Sequence, residues 1–387
     1  MKRTSIVVAL IAVALGLAGA GQVSVAHGLP THARMPATAH VTVFASGFNN
    51  PRGLTFGPDG DLYVAQGGLG GTHSTVGKCT QVSGAAAPYT GSTSNPVLGG
   101  RISKVTPGGV VKTVVKGLPS SQTSAALGSL VSGVSSVGFI GDRLYALLSG
   151  AGCSHGVPNV PNGVIRVERD GKWKMIANLS AFQAAHPVAN PDEEDFEPDG
   201  TWFSMIALDG ALYPMDSNHG ELDRVTPSGA ITRVIDISAK VGHVVPTAIA
   251  HRGGDHGRRA RDHRAPVFYI GNLGQFGAVD GTVPNEHVYK LTRSGKFVVR
   301  ASGLEQVLGL AFRRGRLYAL EMSTTPGGPT PGTGAIVRLR HGKPVQTVVS
   351  GLDFPTAMTV GPDGAFYVSD KGFGFGAGQG LILRITP

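Results

Sequence analysis

The sequence has 387 residues, of which 58 are Gly, and it carries a formal net charge of +9 with only 15% charged residues. The Gly residues cluster between strand patterns without a period of three, which excludes a collagen-like chain. The basic balance favours either adhesion to acidic polymers or lipid headgroups, or simple solubility, and charge alone does not decide between them.

Residues 1–26 have the pattern of a secretory signal peptide, because Lys2 and Arg3 precede an apolar run over residues 6–17 and a set of small residues. Cleavage after Ala20 and cleavage after Ala26 both fit this pattern. The apolar run is shorter than the ~20 residues that cross a bilayer. We therefore expect a secreted, extracellular protein with no transmembrane segment after signal removal.

Two distant stretches share one pattern: residues 50–68 read NPRGLTFGPDGDLYVAQGG and residues 354–372 read FPTAMTVGPDGAFYVSDKG. Each alternates apolar residues on both sides of a Gly-Pro-Asp-Gly turn, in which Pro presets φ and the last Gly takes the positive φ. The pattern predicts a repeated β-hairpin.

Six units of this kind follow one another, each with four short strand patterns except the last, which has three. The units cover residues 53–115, 134–179, 202–235, 247–301, 308–349 and 357–385. An additional strand at residues 40–45 precedes the first unit, and it supplies the missing outer strand of the sixth. The sequence therefore predicts an all-β, six-bladed β-propeller closed by its N-terminal strand. We expect residues 27–37 to be flexible and residues 38–387 to form one domain.

The longest connections mostly follow the second strand of a unit, in five of the six units, so we expect them on one rim of the propeller, where binding usually occurs. The longest of them, residues 67–99, is predicted to be a loop. A basic insertion at residues 251–265 lies on the other rim. It carries no aromatic residues that would stack on nucleic acid, so we expect a solvated loop and no nucleic-acid partner.

Polar residues recur where the second strands end, starting with Gln66 and Ser149. The ligand-binding candidates on this rim are Arg52, Asp216, Asn218, Asn272, Glu321 and Asp370. Calcium takes six to eight oxygen ligands, so Asp216, Asn272 and Asp370 are the candidate metal ligands. The alternative is that such side chains cap turns by bonding to backbone groups.

An acidic stretch and two histidines lie on the same rim. The stretch contains Asp192, Glu193, Glu194, Asp195, Glu197 and Asp199. It is either a local cation site or a solvated loop. His155 and His219 are either surface histidines or ligands. Nucleophilic catalysis has little support, because there is no Gly-x-Ser-x-Gly elbow and Ser120 and Ser121 are predicted to lie in a loop.

Cys79 and Cys153 lie in the long loops of the first two units, and they are the only cysteines. Secretion favours oxidation, so we predict that they form a disulfide. Two free or catalytic thiols are the alternative, and only Lys78 lies close enough in sequence to lower a thiol pKa.

The stretches VFASGFNNPRGLTFGPDGDLYVAQGG, ANPDEEDFEPDG, VPTAIA and GTGAIVRL resemble the ScyD/ScyE family of secreted bacterial propellers. The resemblance implies a six-bladed, NHL-like propeller without an established activity. The chain departs from the family at the basic insertion and after Asp199. Two enzyme families are alternatives: cation-dependent gluconolactonases, whose N-terminal Glu is replaced here by residues 49–53, NNPRG, and quinoprotein sugar dehydrogenases, for which Arg52 is one possible clamp.

These observations favour a secreted, monomeric binding or scaffold protein without catalysis, whose partner is an unknown small molecule or extracellular polymer. The alternative is a cation-dependent lactonase or hydrolase acting on a small extracellular substrate, with calcium as the cation. A fold shared with enzymes does not establish catalysis.

Overall fold

The computed structural model describes residues 39–85, 87–123, 131–191, 196–252, 266–274, 286–325, 329–340 and 342–387. These residues form antiparallel four-stranded sheets with two short helices, Leu179–Ala185 and Ser238–Val241. No helix in the described part of the chain is both long and apolar enough to cross a membrane.

Six of the sheets follow the predicted units, and they are numbered here in the order of their first strands. Sheet one contains Pro51–Phe56, Leu62–Gln66, Gly100–Val105 and Val111–Leu118. Sheet two contains Val134–Ile140, Arg143–Leu148, Gly163–Val167 and Trp173–Asn178. Sheet three contains Trp202–Leu208, Ala211–Asp216, Glu221–Val225 and Ile231–Asp236.

The last three sheets are built in the same way. Sheet four contains Pro246–His251, Phe268–Asn272, Val288–Leu291 and Phe297–Ala301. Sheet five contains Val307–Arg313, Arg316–Glu321, Gly334–Arg340 and Lys343–Leu352. Sheet six contains Ala357–Val360, Phe366–Asp370 and Gly380–Thr386, and its outer position is taken by His40–Phe48.

The N-terminal strand lies beside the last strand of the chain, with His40 opposite Thr386 and Phe48 opposite Gly380. The first strand of each sheet contacts the first strand of the next, and the first strand of sheet six contacts that of sheet one. Buried apolar residues fill the spaces between neighbouring sheets, for example Val307 of sheet five with Ala248 of sheet four. The core is therefore divided among the interfaces between sheets.

A seventh, small sheet lies apart from the repeated pattern, and we call it the rim sheet. It contains His73–Ser74, Thr90–Ser92, Ser120–Gln122 and Val131–Ser132. The prediction that residues 67–99 and Ser120 with Ser121 are loop is therefore wrong at these strands. These strands are two or three residues long and mostly polar, so they show no apolar period and the sequence contains no strand signal there.

Candidate functional site

The polar residues that end the second strands bond to the backbone of the segment leading into the same sheet. Gln66 Oε1 accepts a hydrogen bond from Asn49 N at 2.9 Å. Glu321 Oε1 accepts one from Glu305 N at 2.8 Å. The corresponding contacts in the other sheets are Asp216 Oδ1 with Thr201 N at 3.3 Å, Asn272 Nδ2 with Val244 O at 2.9 Å, and Asp370 Oδ1 with Asp353 N at 3.0 Å.

These contacts hold a left-handed turn that precedes the first strand. Asn50, Val245, Gln306 and Phe354 all have positive φ, between 42° and 52°, and before sheet three it is Gly200 that has positive φ, at 69°. The left-handed region is unfavourable for residues with a β-branched or bulky side chain, so it persists only where surrounding contacts fix it. The second-strand side chains supply such a contact at the residue next to the turn. The repeated polar residues thus have a structural task in five of the six sheets.

The candidate metal ligands Asp216, Asn272 and Asp370 are all buried and each belongs to one such contact. Within the described residues, no group of three or more His, Cys, Asp or Glu side chains is placed to hold a metal ion. The geometry therefore agrees with the backbone-bonding alternative for these side chains, and it gives no ligand set for calcium.

Three carboxyl groups near these turns have raised pKa values. Burial raises the pKa of Glu321 to about 8, and the Glu305 and Glu286 carboxylates add to the effect. Burial raises the pKa of Glu305 to about 7, again with a contribution from Glu286. Burial also raises the pKa of Asp370 to about 7. Glu321 Oε2 is buried without a hydrogen-bond partner among the described residues, which agrees with a protonated group.

Arg52 lines a cleft between sheets one, two, three and six. Its Nη1 donates to Gly372 O and its Nη2 donates to Val131 O at 2.9 Å, so one guanidinium joins sheet six to the rim sheet. Burial lowers its pKa to about 10, which leaves it cationic at neutral pH. Its contacts are with carbonyl oxygens, and its positive charge is not neutralised by a described carboxylate.

The cleft, called here the mouth cleft, combines this cation with hydroxyl groups and aromatic rings. Its lining consists of Arg52, Tyr89, Val131, Ser132, Gly133, Val134, Ser135, Ser149, Thr201, Phe203 and Phe373. Thr201 Oγ1 is buried without a hydrogen-bond partner among the described residues. The space enclosed within the cleft has a volume of only about 30 Å³. A ligand larger than a water molecule would therefore lie across the opening, against the aromatic rings.

A Ser, a His and a Glu form a continuous chain beside the mouth cleft. Ser121 Oγ lies 2.8 Å from His155 Nδ1, and His155 Nε2 lies 3.2 Å from Glu197 Oε2. All three side chains are buried. The Tyr89 ring, which lines the cleft, packs on the His155 ring with 4.4 Å between centroids. A hydroxyl, an imidazole and a carboxylate in this order are the components of nucleophilic hydrolysis.

The second predicted histidine, His219, is bonded to a different carboxylate. Its Nδ1 lies 2.9 Å from Asp216 Oδ2. Burial disfavours the charged ring, but the Asp216 carboxylate, with smaller contributions from Glu221 and Glu197, outweighs burial and raises the His219 pKa. Asn218 Oδ1 accepts a hydrogen bond from Glu197 N at 3.0 Å, and Asn218 N donates to Asp216 Oδ1 at 2.9 Å. Asn218 therefore connects the two His-carboxylate pairs.

The acidic stretch is only partly visible, because Asp192, Glu193, Glu194 and Asp195 lie outside the described residues. Glu197 is buried against His155, and Asp199 Oδ2 accepts hydrogen bonds from Ser154 N and Ser154 Oγ at 2.8 and 2.6 Å. These two carboxylates are internal contacts, so the solvated-loop interpretation is wrong for Glu197. Residues 253–265 of the basic insertion also lie outside the described part of the chain.

Cys79 and Cys153 are joined in a disulfide, with 6.2 Å between their Cα atoms and a separation of 74 residues, so the pairing is confirmed. The bond fixes the loop that bears Tyr89 to the turn that bears His155. Thr75 Oγ1 donates to Cys153 O at 2.5 Å and strengthens the same junction.

We expect the double variant Cys79→Ser, Cys153→Ser to lose about 4 kcal/mol of stability, because opening a loop of this length restores chain entropy to the unfolded state. Urea unfolding of the native and variant proteins measures the difference. A reductant should destabilise the native protein and leave the double variant unchanged. Equal unfolding midpoints for native and variant proteins would contradict the expectation.

Structural comparison identifies the architecture. The fold is similar to a putative oxidoreductase (glucose dehydrogenase) from Thermus thermophilus, with 17% identity over 90% of this chain and 100% of that chain and a TM-score of 0.52. It is also similar to a gluconolactonase from Xanthomonas campestris, with 10% identity over 90% and 89% of the two chains and a TM-score of 0.50. A third similar structure is the PQQ-bound aldose sugar dehydrogenase from Streptomyces coelicolor, with 14% identity, 91% and 100% coverage and a TM-score of 0.50.

At these identities the likeness shows the fold alone, and together with the four-stranded sheets it shows a β-propeller. No protein-family model matches the sequence, and a comparison with curated proteins finds no match.

Proposed function

We propose that the protein hydrolyses a small extracellular lactone or related ester at the mouth cleft. The observation that carries this proposal is the Ser121–His155–Glu197 chain, which lies beside a cleft with aromatic rings, hydroxyl groups and a cation, Arg52, that pairs with no described carboxylate. Two structurally similar propellers are sugar dehydrogenases and a third is a gluconolactonase, so cyclic polar substrates are a reasonable class to test.

In the proposed reaction, Ser121 Oγ attacks the lactone carbonyl while His155 takes the hydroxyl proton. Glu197 orients the imidazole and stabilises its protonated form. The ring C–O bond breaks, and His155 returns the proton to the leaving oxygen, which gives an acyl ester on Ser121. Water, deprotonated by His155, then releases the hydroxy acid and restores Ser121. Arg52 provides a positive charge near the carboxylate product.

A second candidate is binding without catalysis, as a secreted scaffold protein of ScyD/ScyE type. Burial of both Ser121 and His155 favours it, because neither side chain is open to a substrate and the Tyr89 ring packs against the His155 ring. Both candidate functions place the ligand at the mouth cleft, and they differ in whether the protein converts that ligand to a product.

The two candidates are separated by assaying the secreted protein against a panel of sugar lactones, simple lactones and aryl esters, each with calcium and with a chelator. We expect turnover, and we expect Ser121→Ala to lower kcat by about a thousandfold or more, since removal of a nucleophile has effects of this size. Ser120→Ala is the matched control, because Ser120 is buried in the same strand and bonds to Gly67 O instead of His155.

Equal activity in Ser121→Ala and the native protein would refute the nucleophile. Binding of a lactone by calorimetry without any turnover would favour the binding function. Activity that the chelator abolishes and calcium restores would support the cation-dependent form of the hydrolase, and the Ser121→Ala result would then decide whether the hydroxyl takes part.

We propose in addition that the six sheets are the blades of one closed six-bladed propeller domain over residues 38–387, with His40–Phe48 completing sheet six. The pairing with Gly380–Thr386 and the contacts between first strands support this arrangement. Secretion through a signal peptide at residues 1–26, and a monomeric state, are proposals that rest on the sequence patterns.

A further inference from the structure

A second cavity lies between sheets four and five, at the edge formed by the tight turns. Its volume is about 360 Å³, within the range of small-molecule sites. It is lined by Arg252, Tyr269, Arg300, Phe312, Gly315, Arg316, Leu317, Arg338, Leu339, Arg340 and Lys343. We call it the cationic pocket, because six of these side chains are Arg or Lys and none of the described lining residues is acidic.

The six cations lie at two depths. Arg252, Arg316 and Lys343 are exposed at the margin, whereas Arg300, Arg338 and Arg340 are half-buried. None of the six forms an ion pair with any described residue, although the chain uses ion pairs elsewhere, such as Arg384 with Asp363. Six neighbouring like charges repel one another, and the repulsion is relieved when an anion binds among them.

Two of the inner guanidinium groups have hydrogen-bond donors without a described partner. Arg300 Nη1 and Arg338 Nε are both inaccessible to solvent and unbonded among the described residues. A buried donor without a partner costs about 1 to 3 kcal/mol, and charged donors cost more. Neither donor is at the pocket surface as the side chains stand, so an anion in the pocket would satisfy them once the guanidinium groups turn toward it.

The floor of the pocket is apolar and aromatic. Tyr269 and Phe312 meet edge to face with 5.2 Å between ring centroids, beside Leu317 and Leu339. Guanidinium forks match phosphate oxygens in geometry, and a phosphate group brings almost two negative charges to a small volume. A single phosphate would neutralise only a minority of the six cations.

We propose that the cationic pocket binds a small molecule carrying two or more phosphate groups. The site is separate from the mouth cleft, since the two share no lining residue. The binding proposal therefore stands whether or not the protein is a hydrolase.

Calorimetry of the secreted protein with pyrophosphate at low ionic strength tests the proposal, with inorganic phosphate and citrate as comparison ligands. We expect pyrophosphate to bind more tightly than either, and more weakly as salt is added. Arg338→Gln should weaken binding about tenfold or more, since it removes a charge-assisted contact. Arg316→Gln should weaken it several-fold with no effect on folding, because Arg316 is exposed.

Arg169→Gln is the matched control, since it removes the same charge from a side chain that is 95% exposed and remote from the pocket. Its affinity for pyrophosphate should equal that of the native protein. The proposal is overturned if the native protein does not bind pyrophosphate, or if Arg338→Gln and Arg316→Gln both bind it as tightly as the native protein. Binding of inorganic phosphate or citrate as tightly as pyrophosphate would overturn the assignment to a multiply phosphorylated ligand.

Discussion

A chain that begins at Gly47 should unfold with on the order of 5 kcal/mol less stability than a chain that begins at Ala39, and its Tm should fall by about 5 to 10 °C. The deletion removes most of the strand that pairs with Gly380–Thr386. It also removes Phe44, whose ring packs edge to face on Tyr367 with 5.1 Å between centroids, and the buried Ala45. The last strand would then present unpaired backbone groups to solvent.

The effect belongs to the pairing of the strand and not to its surface side chains. Val43→Thr alters a side chain that is 59% exposed on the same strand, so it should leave Tm unchanged. A peptide of residues 39–48 added in excess should raise the Tm of the shortened chain, because a ligand that binds only the folded state stabilises it. Equal melting temperatures for the two chains would show that the N-terminal strand does not stabilise the fold.

The strands of the six main sheets could be predicted because each carries a local signal. Short runs of apolar, β-branched and aromatic residues mark Leu62–Gln66 and Phe366–Asp370, which are almost wholly buried, and the Gly-Pro-Asp-Gly turns before them set the hairpin register. The displaced strand His40–Phe48 could be placed because the sixth unit lacked a partner on one edge. Because the unit recurs six times, strand patterns that are weak in one unit could be recognised by comparison with the others.

The rim sheet could not be predicted, because its strands are two or three residues long and hold Ser, Thr, Gly and His. Their pairing depends on contacts between distant segments, such as Thr90 opposite Gln122. The same limitation hides the Ser121–His155–Glu197 chain, whose members are 34 and 42 residues apart. A sequence shows residue types, whereas the hydrogen-bonded Ser121–His155–Glu197 set forms only because distant loops meet in the fold.

The polar residues at the strand ends were recognised from the sequence, but their partners were not. From the sequence alone, Asp216 and Asp370 each fit the role of a calcium ligand and the role of a hydrogen-bond acceptor for a backbone N–H equally well. The choice depends on whether a backbone N–H lies within reach, and here Thr201 N and Asp353 N do. The left-handed turns at Val245 and Phe354 give no sequence signal either, since such residues seldom take positive φ.

Stability should fall as the pH rises from about 5 to 9, and Glu321 should contribute to the fall together with the other buried carboxyl groups whose pKa values are raised, among them Asp223 and Glu221. The unfolded chain releases this proton near 4.5, whereas the folded protein holds it up to about 8. Between these values the folded state binds more protons than the unfolded state, so each pH unit costs up to about 1.4 kcal/mol per group. Glu305 and Asp370, with pKa values of about 7, act in the same direction.

Glu321→Gln removes the titrating proton and keeps the Oε1 acceptor for Glu305 N. We expect the variant to match or fall slightly below the native protein at pH 5 and to exceed it by a few kcal/mol at pH 9. Urea unfolding at pH 5, 7 and 9 measures the difference. Asp142→Asn is the control, since this carboxyl is 70% exposed and should leave the pH profile unchanged. Parallel profiles for the native protein and Glu321→Gln would mean that Glu321 is not protonated in the folded protein.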